Sequence, residues 1–148
     1  MPNGLNYKMR TQFLLIADDR TLAKLLKHFA LNGININGFQ QLKPDPTSPQ
    51  NVVRFVVGST EGEIPNEIQA VRNTLYPLHL HWTEKQVIQI LDIASGAPGQ
   101  IGMIHGALWC RVTIEAIYLG EKTKIFLDVS NNKEAIRILS QPQLQLCR

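Results

Sequence analysis

The chain has 148 residues, 44% of them hydrophobic and 18% charged, with a formal net charge of +3 and a pI near 9.0. That length suits one compact domain or two small ones sharing a core, and the Ile, Leu and Val content excludes a disordered chain. No apolar run reaches the roughly 18 residues of a membrane span, and the basic residues are scattered, so neither a membrane segment nor a basic nucleic-acid arm is expected.

Taken in chain order, the opening MPNGLNYKMR carries no apolar h-region, so no signal peptide is expected. TQFLLIA, residues 11–17, reads as a buried strand. Asp18 to Arg20 breaks it, and the period then changes: Leu22, Leu25, Leu26 and Phe29 fall on one helical face. Asp18 or Asp19 is the expected N-cap, and Gly33 the left-handed residue that ends the helix. A second strand is expected over 34–42, a proline-rich loop over 43–50 and a third strand over 51–59, with Arg54 either facing solvent or in an ion pair between repeats. Ile68, Val71 and Leu75 share a face of a helix that Pro77 stops. LHLHW, 78–82, alternates as a short fourth strand.

The order to this point is β-α-β-β-α-β, the split-βαβ, ferredoxin-like arrangement with two helices on one face of an antiparallel sheet. The chain then repeats it. KQVIQILDI (85–93) is expected as a strand, ASGAPGQ (94–100) as a loop, and Ile101, Ile104, Ala107 and Leu108 as a helical face. VTIEAIYLG and KIFLDVS are an antiparallel strand pair. NNKEAIRILSQ is the last helix, capped by Asn131 or Asn132 with Ile136 and Leu139 inward, and QLQLC is a candidate closing strand. The fold class is therefore α+β, two ferredoxin-like repeats over 9–83 and 84–148.

These residues resemble the ACT domains. GINI, Gly33 to Ile36, matches the helix-to-strand junction of such a repeat. APGQIGMIHGAL, Ala97 to Leu108, matches the loop and helix, and IEAIYLG followed by KIFLDVSNNKEAIRIL is similar to the second half. The resemblance covers nearly the whole chain in two copies. It implies a non-catalytic regulatory sensor of a small ligand, commonly an amino acid, with the site at an interface between repeats. No enzyme or DNA-binding domain is attached in this reading.

What the resemblance implies for single residues is unequal between the copies. Copy one has Asn35 and Ile36 at the start of its second strand, but Asp18, Asp19 and Arg20 stand in its loop. Copy two has the loop, Ser95, Gly96, Ala97, Pro98, Gly99, Gln100 and Ile101, but Thr113 stands where Asn would be and Arg111 near the missing Gly. The expected ligand contacts are those nine residues from Asn35 and Ile36 to Ile101, with at most one competent amino-acid site per chain. The chemistry is that of backbone N–H groups meeting a carboxylate at a helix start, and of an Asn amide that both donates and accepts. Asn35 has a second reading, a side chain that bonds backbone at a corner.

The remaining features point elsewhere or nowhere. His79 and His81 would share one strand face with Glu84 nearby, which reads as an edge-strand pair; no metal site is expected. Trp82 and Trp109 read as core or interface anchors. Cys110 and Cys147 lack metal or redox spacing and read as two free thiols in a cytoplasmic chain. No nucleophile elbow, P-loop or dinucleotide fingerprint is present, so no catalysis and no cofactor are expected. A homodimer through open sheet edges, and a regulated protein partner, fit the resemblance. The alternatives are a nucleic-acid module on the same fold, although no RNA-recognition motif surrounds Phe55 or Phe126, and a structural subunit with degenerate ligand sites.

Overall fold

The computed structural model describes residues 4–92 and 96–148. It is α+β, with strands β1 (Tyr7–Asp18), β2 (Ile36–Leu42), β3 (Gln50–Val57), β4 (Trp82–Ile90), β5 (Ile114–Leu119) and β6 (Ile125–Val129). The helices are α1 (Asp19–Leu31), α2 (Pro65–Leu75), α3 (Gln100–Leu108) and α4 (Asn132–Leu139). The chain divides into a contiguous unit, Arg10–Gln86, and a split unit, Met1–Met9 with Val87–Arg148.

The contiguous unit has the strand order β2-β3-β1-β4. β1 pairs β3 antiparallel with Phe13 opposite Phe55, and β2 pairs β3 with Phe39 opposite Phe55 and a register shift between Ile36 and Gly38. Alternate β1 and β3 residues turn to one face, where Phe13, Leu15, Val53 and Phe55 meet Leu22, Leu25 and Phe29 of α1 and Ile68, Val71 and Leu75 of α2. Phe13 stacks on Phe55 with ring centroids 5.3 Å apart, and Phe29 tilts against the same ring at 5.5 Å. Asp18 is the N-cap of α1: its carboxylate accepts from the Thr21 backbone N–H at 2.7 Å. Gly33 takes φ +67°, and the chain turns into β2 as Ile34 N–H donates to Phe29 O. Pro65 opens α2 at a position where its missing N–H costs nothing.

The split unit has the order β1-β4-β6-β5. Ile88 and Ile90 of β4 and Ile125, Leu127 and Val129 of β6 form a core with Ile104 and Leu108 of α3 and Ala135, Ile138 and Leu139 of α4. Leu91 N–H reaches back to Asn6 O at 2.9 Å. Numbered within its own unit, each sheet reads fourth, first, third, second strand. β4 closes the contiguous repeat and opens the split one, while the start of β1 supplies the closing strand of the split repeat.

Several expectations change here. LHLHW is not a strand: Tyr76–Leu78 is a 3-10 turn and His79 takes φ +52°, a left-handed conformation that no strand tolerates. The two strands expected at 78–82 and 85–93 are one, Trp82–Ile90, which runs across the expected division at Thr83 and Glu84. QLQLC is not a strand either; Cys147 N–H donates to Gly106 O at 2.7 Å. Ile101 is 50% exposed rather than inward, and Ile138 takes the buried place expected for Ile136, which is only partly buried. Arg54 donates to Gln40 Oε1 on the neighbouring strand. Cys110 and Cys147 are joined by a disulfide, which overturns the reading of two free thiols. Two half-cystines far apart in sequence carry no spacing signal, so only the fold brings them within reach. Among the described residues no helix is long and apolar enough to cross a membrane.

Candidate functional site

Asn35 lies exposed between the left-handed Gly33 and the first residue of β2. Its Nδ2 donates to Gly58 O at 2.9 Å, and Gly58 N–H donates back to Asn35 O at 3.0 Å. The side chain thus performs the corner role, closing the end of β3. Ile36 is half-buried, opposite Val57, and packs against the core of its unit.

Behind that corner is a buried polar group that the sequence did not single out. Arg10 is fully buried; its guanidinium donates to Ser59 O and Val57 O, both at 2.9 Å. Glu63 accepts from the Thr11 backbone N–H, and the Glu63 and Glu67 carboxylates favour the Arg10 charge. Burial pulls the Arg10 pKa below its ordinary value, with the two glutamates opposing that shift, and the guanidinium stays protonated. Gly58 is required at this point: φ is +110°, and a Cβ there would sit 3.1 Å from Arg10 Nη2 and 3.1 Å from Gly62 O. Asn37, 3% exposed, directs Nδ2 to Gly58 O at 3.5 Å, and its Oδ1 has no hydrogen-bond partner among the described residues. A Val-Val-Gly-Ser strand end and an arginine just before an apolar run were the available signals for Gly58 and Arg10.

The split unit builds the matching corner differently. Ser130 N–H donates to Thr113 O at 2.9 Å, as Gly58 N–H does to Asn35 O, but here the Ser130 hydroxyl accepts from Thr113 N–H. The end of α3 also lacks the glycine of α1. Arg111 donates from Nη1 to the carbonyl of Ala107 in the last turn at 2.7 Å. An open cleft of about 290 Å³ lies beside Thr113, lined also by Trp109, Arg111 and Ser130.

In the loop before α3, Ser95 lies outside the described residues. Gly96 and Gly99 have φ +79° and +87°, and a Cβ on either would meet nothing within 4 Å, so these glycines serve backbone conformation rather than space. Gly99 is the N-cap of α3 and, having no side chain, makes no side-chain cap hydrogen bond. Ala97, Pro98 and Gly99 are exposed, and Gln100 folds back to donate to Ala97 O at 3.2 Å. The equivalent junction of the contiguous unit is closed to an anion. Asp18 already occupies the α1 N-terminus, and its own pKa is held down first by the Thr21 N–H. Asp19 is tied to Lys43 Nζ at 2.8 Å and Asn51 Nδ2 at 2.9 Å. Asn35 and Ile36 belong to the contiguous unit and Gly96 to Ile101 to the split unit. His79 and His81 precede β4 rather than sharing a strand face, and among the described residues no group of three or more His, Cys, Asp or Glu could hold a metal ion.

No family model matches the sequence, and no curated protein matches it. Solved structures do. Protein BT0572 from Bacteroides thetaiotaomicron aligns at 16% identity and a TM-score of 0.64, over 88% of this chain and 86% of that one. The regulatory subunit of aspartate kinase from Thermus flavus aligns at 17% identity and a TM-score of 0.64, over 94% and 96%. Aspartate kinase from Synechocystis aligns at 18% and 0.56, over 93% of this chain but 26% of that larger one. At these identities the likeness is one of fold alone, an α+β fold of ferredoxin-like repeats.

Proposed function

We propose that this chain is a non-catalytic regulatory protein that binds a small amino acid or related metabolite. The observation that carries the reading is the uncapped, glycine-shaped start of α3 beside an exposed loop, set against an α1 start already filled by Asp18. A carboxylate accepts from first-turn N–H groups and gains from the helix dipole, and the start of α3 has no side-chain cap at Gly99 where Asp18 caps α1. The structural likeness to a kinase regulatory subunit supports a regulatory rather than catalytic role, and the same fold recurs there within a larger kinase. In this reading the ligand contacts come from Asn35, Ile36 and the segment from Ser95 to Ile101, with at most one competent site per chain. Its sequence repeats are 9–83 and 84–148, its assembly is a homodimer formed through open strand edges, and its location is cytoplasmic.

A thermal-shift screen of the twenty amino acids tests this, because a ligand that binds only the folded state raises the midpoint. One or a few amino acids are expected to stabilise the protein, with calorimetry returning one site per chain. Gln100→Ala should weaken that response. Two equal sites per chain, or no shift with any amino acid, would count against the reading.

A further inference from the structure

The split unit carries a second, chemically different pocket. It has a volume of about 180 Å³ and is lined by Arg111, Arg137, Ile138, Gln141, Gln143 and Gln145. Its lining side chains are two guanidiniums, three primary amides and Ile138, and the Glu134 carboxylate, bound to Arg137 and acting on the charge of Arg111, lies beside it. Donors arrive from three chain segments: Arg111 from the end of α3, Arg137 and Gln141 from α4 and its exit, Gln143 and Gln145 from the tail.

The two arginines are held differently. Arg111 is fixed by neutral partners, with Nη1 donating to Ala107 O at 2.7 Å and to Gln145 O at 2.6 Å. These anchors fix its position through carbonyl oxygens, while the Glu134 carboxylate interacts with its charge through space. Arg137 presents Nε and Nη2 to the Glu134 carboxylate, which leaves its Nη1 corner for a further acceptor. The tail wall is fastened at its far end. The disulfide joins Cys147 to Cys110, Cys147 N–H donates to Gly106 O at 2.7 Å, and Leu146 packs against Gly106. Arg111 and the tail backbone are therefore preorganised, which reduces the ordering cost of binding.

We propose that this pocket binds a phosphate or phosphate monoester. A planar carboxylate is satisfied by one fork, whereas donors converging from three segments suit a tetrahedral anion with acceptors on every side. The volume of about 180 Å³ is ample for a phosphate group. The site uses none of the residues assigned to the amino-acid reading, so each can fail without the other.

The test is calorimetric titration of inorganic phosphate into the full-length, disulfide-intact protein, with acetate at matched ionic strength in parallel. Saturable binding of one phosphate per chain, tighter than acetate, is expected. Arg137→Gln should weaken it about tenfold, the loss of one charge-assisted contact. Lys133→Gln, an exposed cation on the same helix, should leave it unchanged. Glu134→Gln should tighten it by removing the nearest competing carboxylate, and Cys147→Ser should weaken it by releasing the tail wall. Arg137 is largely exposed, so its variant is expected to fold even if an Arg111 variant does not. The proposal is overturned if phosphate binding does not saturate, if acetate binds as tightly, or if Lys133→Gln costs as much as Arg137→Gln.

Discussion

At the residue scale, several constraints meet at one glycine. Gly58 receives Asn35 at its carbonyl, lies against Arg10 and turns the chain at φ +110°. Gly58→Ala should lower stability by about 1–3 kcal/mol, combining left-handed strain with a close approach to the guanidinium and to Gly62 O. Urea unfolding checks it, and a loss below a few tenths of a kcal/mol would mean the corner yields easily. The opposite holds for Gly99, where an added methyl meets only solvent and the cost is confined to backbone conformation. Asn35 shows how far a single letter can be read. Its place at a helix-to-strand corner was visible in Gly-Ile-Asn-Ile, but its partner, Gly58 on the next strand, was not. A hydrogen bond between residues distant in sequence leaves no local period to detect.

At the element scale, what was legible followed from amphipathic period and capping chemistry. The faces of α1 and α2 were visible because Leu22, Leu25, Phe29, Ile68, Val71 and Leu75 repeat at helical spacing, and all six are buried. Asp18 was one of two candidate caps, and its pKa predicts a pH signature. A carboxylate whose folded pKa lies below its ordinary 3.8 stabilises the fold above that value. That contribution is lost as pH falls through the lowered folded value. Asp18→Asn keeps a capping acceptor but removes the charge, so it should be less stable than the wild type at neutral pH. The gap should close on acidification, followed by denaturant midpoints across the acid range; a gap that widens would be the wrong sign. What was not legible was the junction between repeats. Leu78, Leu80 and Trp82 alternate like a strand, but a 3-10 turn through Pro77 and the left-handed His79 break extended backbone. Period alone cannot distinguish an alternating loop that drops Leu80 onto the core from a strand that does the same.

At the scale of the whole molecule, the disulfide changes what the protein is expected to tolerate. It closes a sequence separation of 37 residues in the split unit, from the end of α3 to the tail. Restricting the unfolded chain over such a loop is worth about 2–4 kcal/mol, so Cys147→Ser should lower stability by that order. Comparing denaturant unfolding of that variant with wild type under non-reducing conditions measures it. If wild type treated with reductant unfolds at the same midpoint as the variant, the loss belongs to the bond rather than to the new side chain. A persistent disulfide is more common outside the reducing cytosol, which weighs against the cytoplasmic expectation. The duplication was legible because both copies keep the same order of periods. Which chain segment closes the second copy was not, because a closing strand supplied from the beginning of a sequence leaves no trace near its end.

That closure has a consequence for how the protein is made and inherited. Two pieces of one unit are separated by the whole of the other, and β1 and β4 each serve both. On the ribosome, the first piece must wait until the entire intervening unit has emerged before its partners exist. A gene fragment cut at the apparent repeat boundary would sever β4 and leave the second copy short of a strand. The two copies therefore cannot be exchanged as separate cassettes, and a change in length is tolerated best where it falls within one unit's own loops.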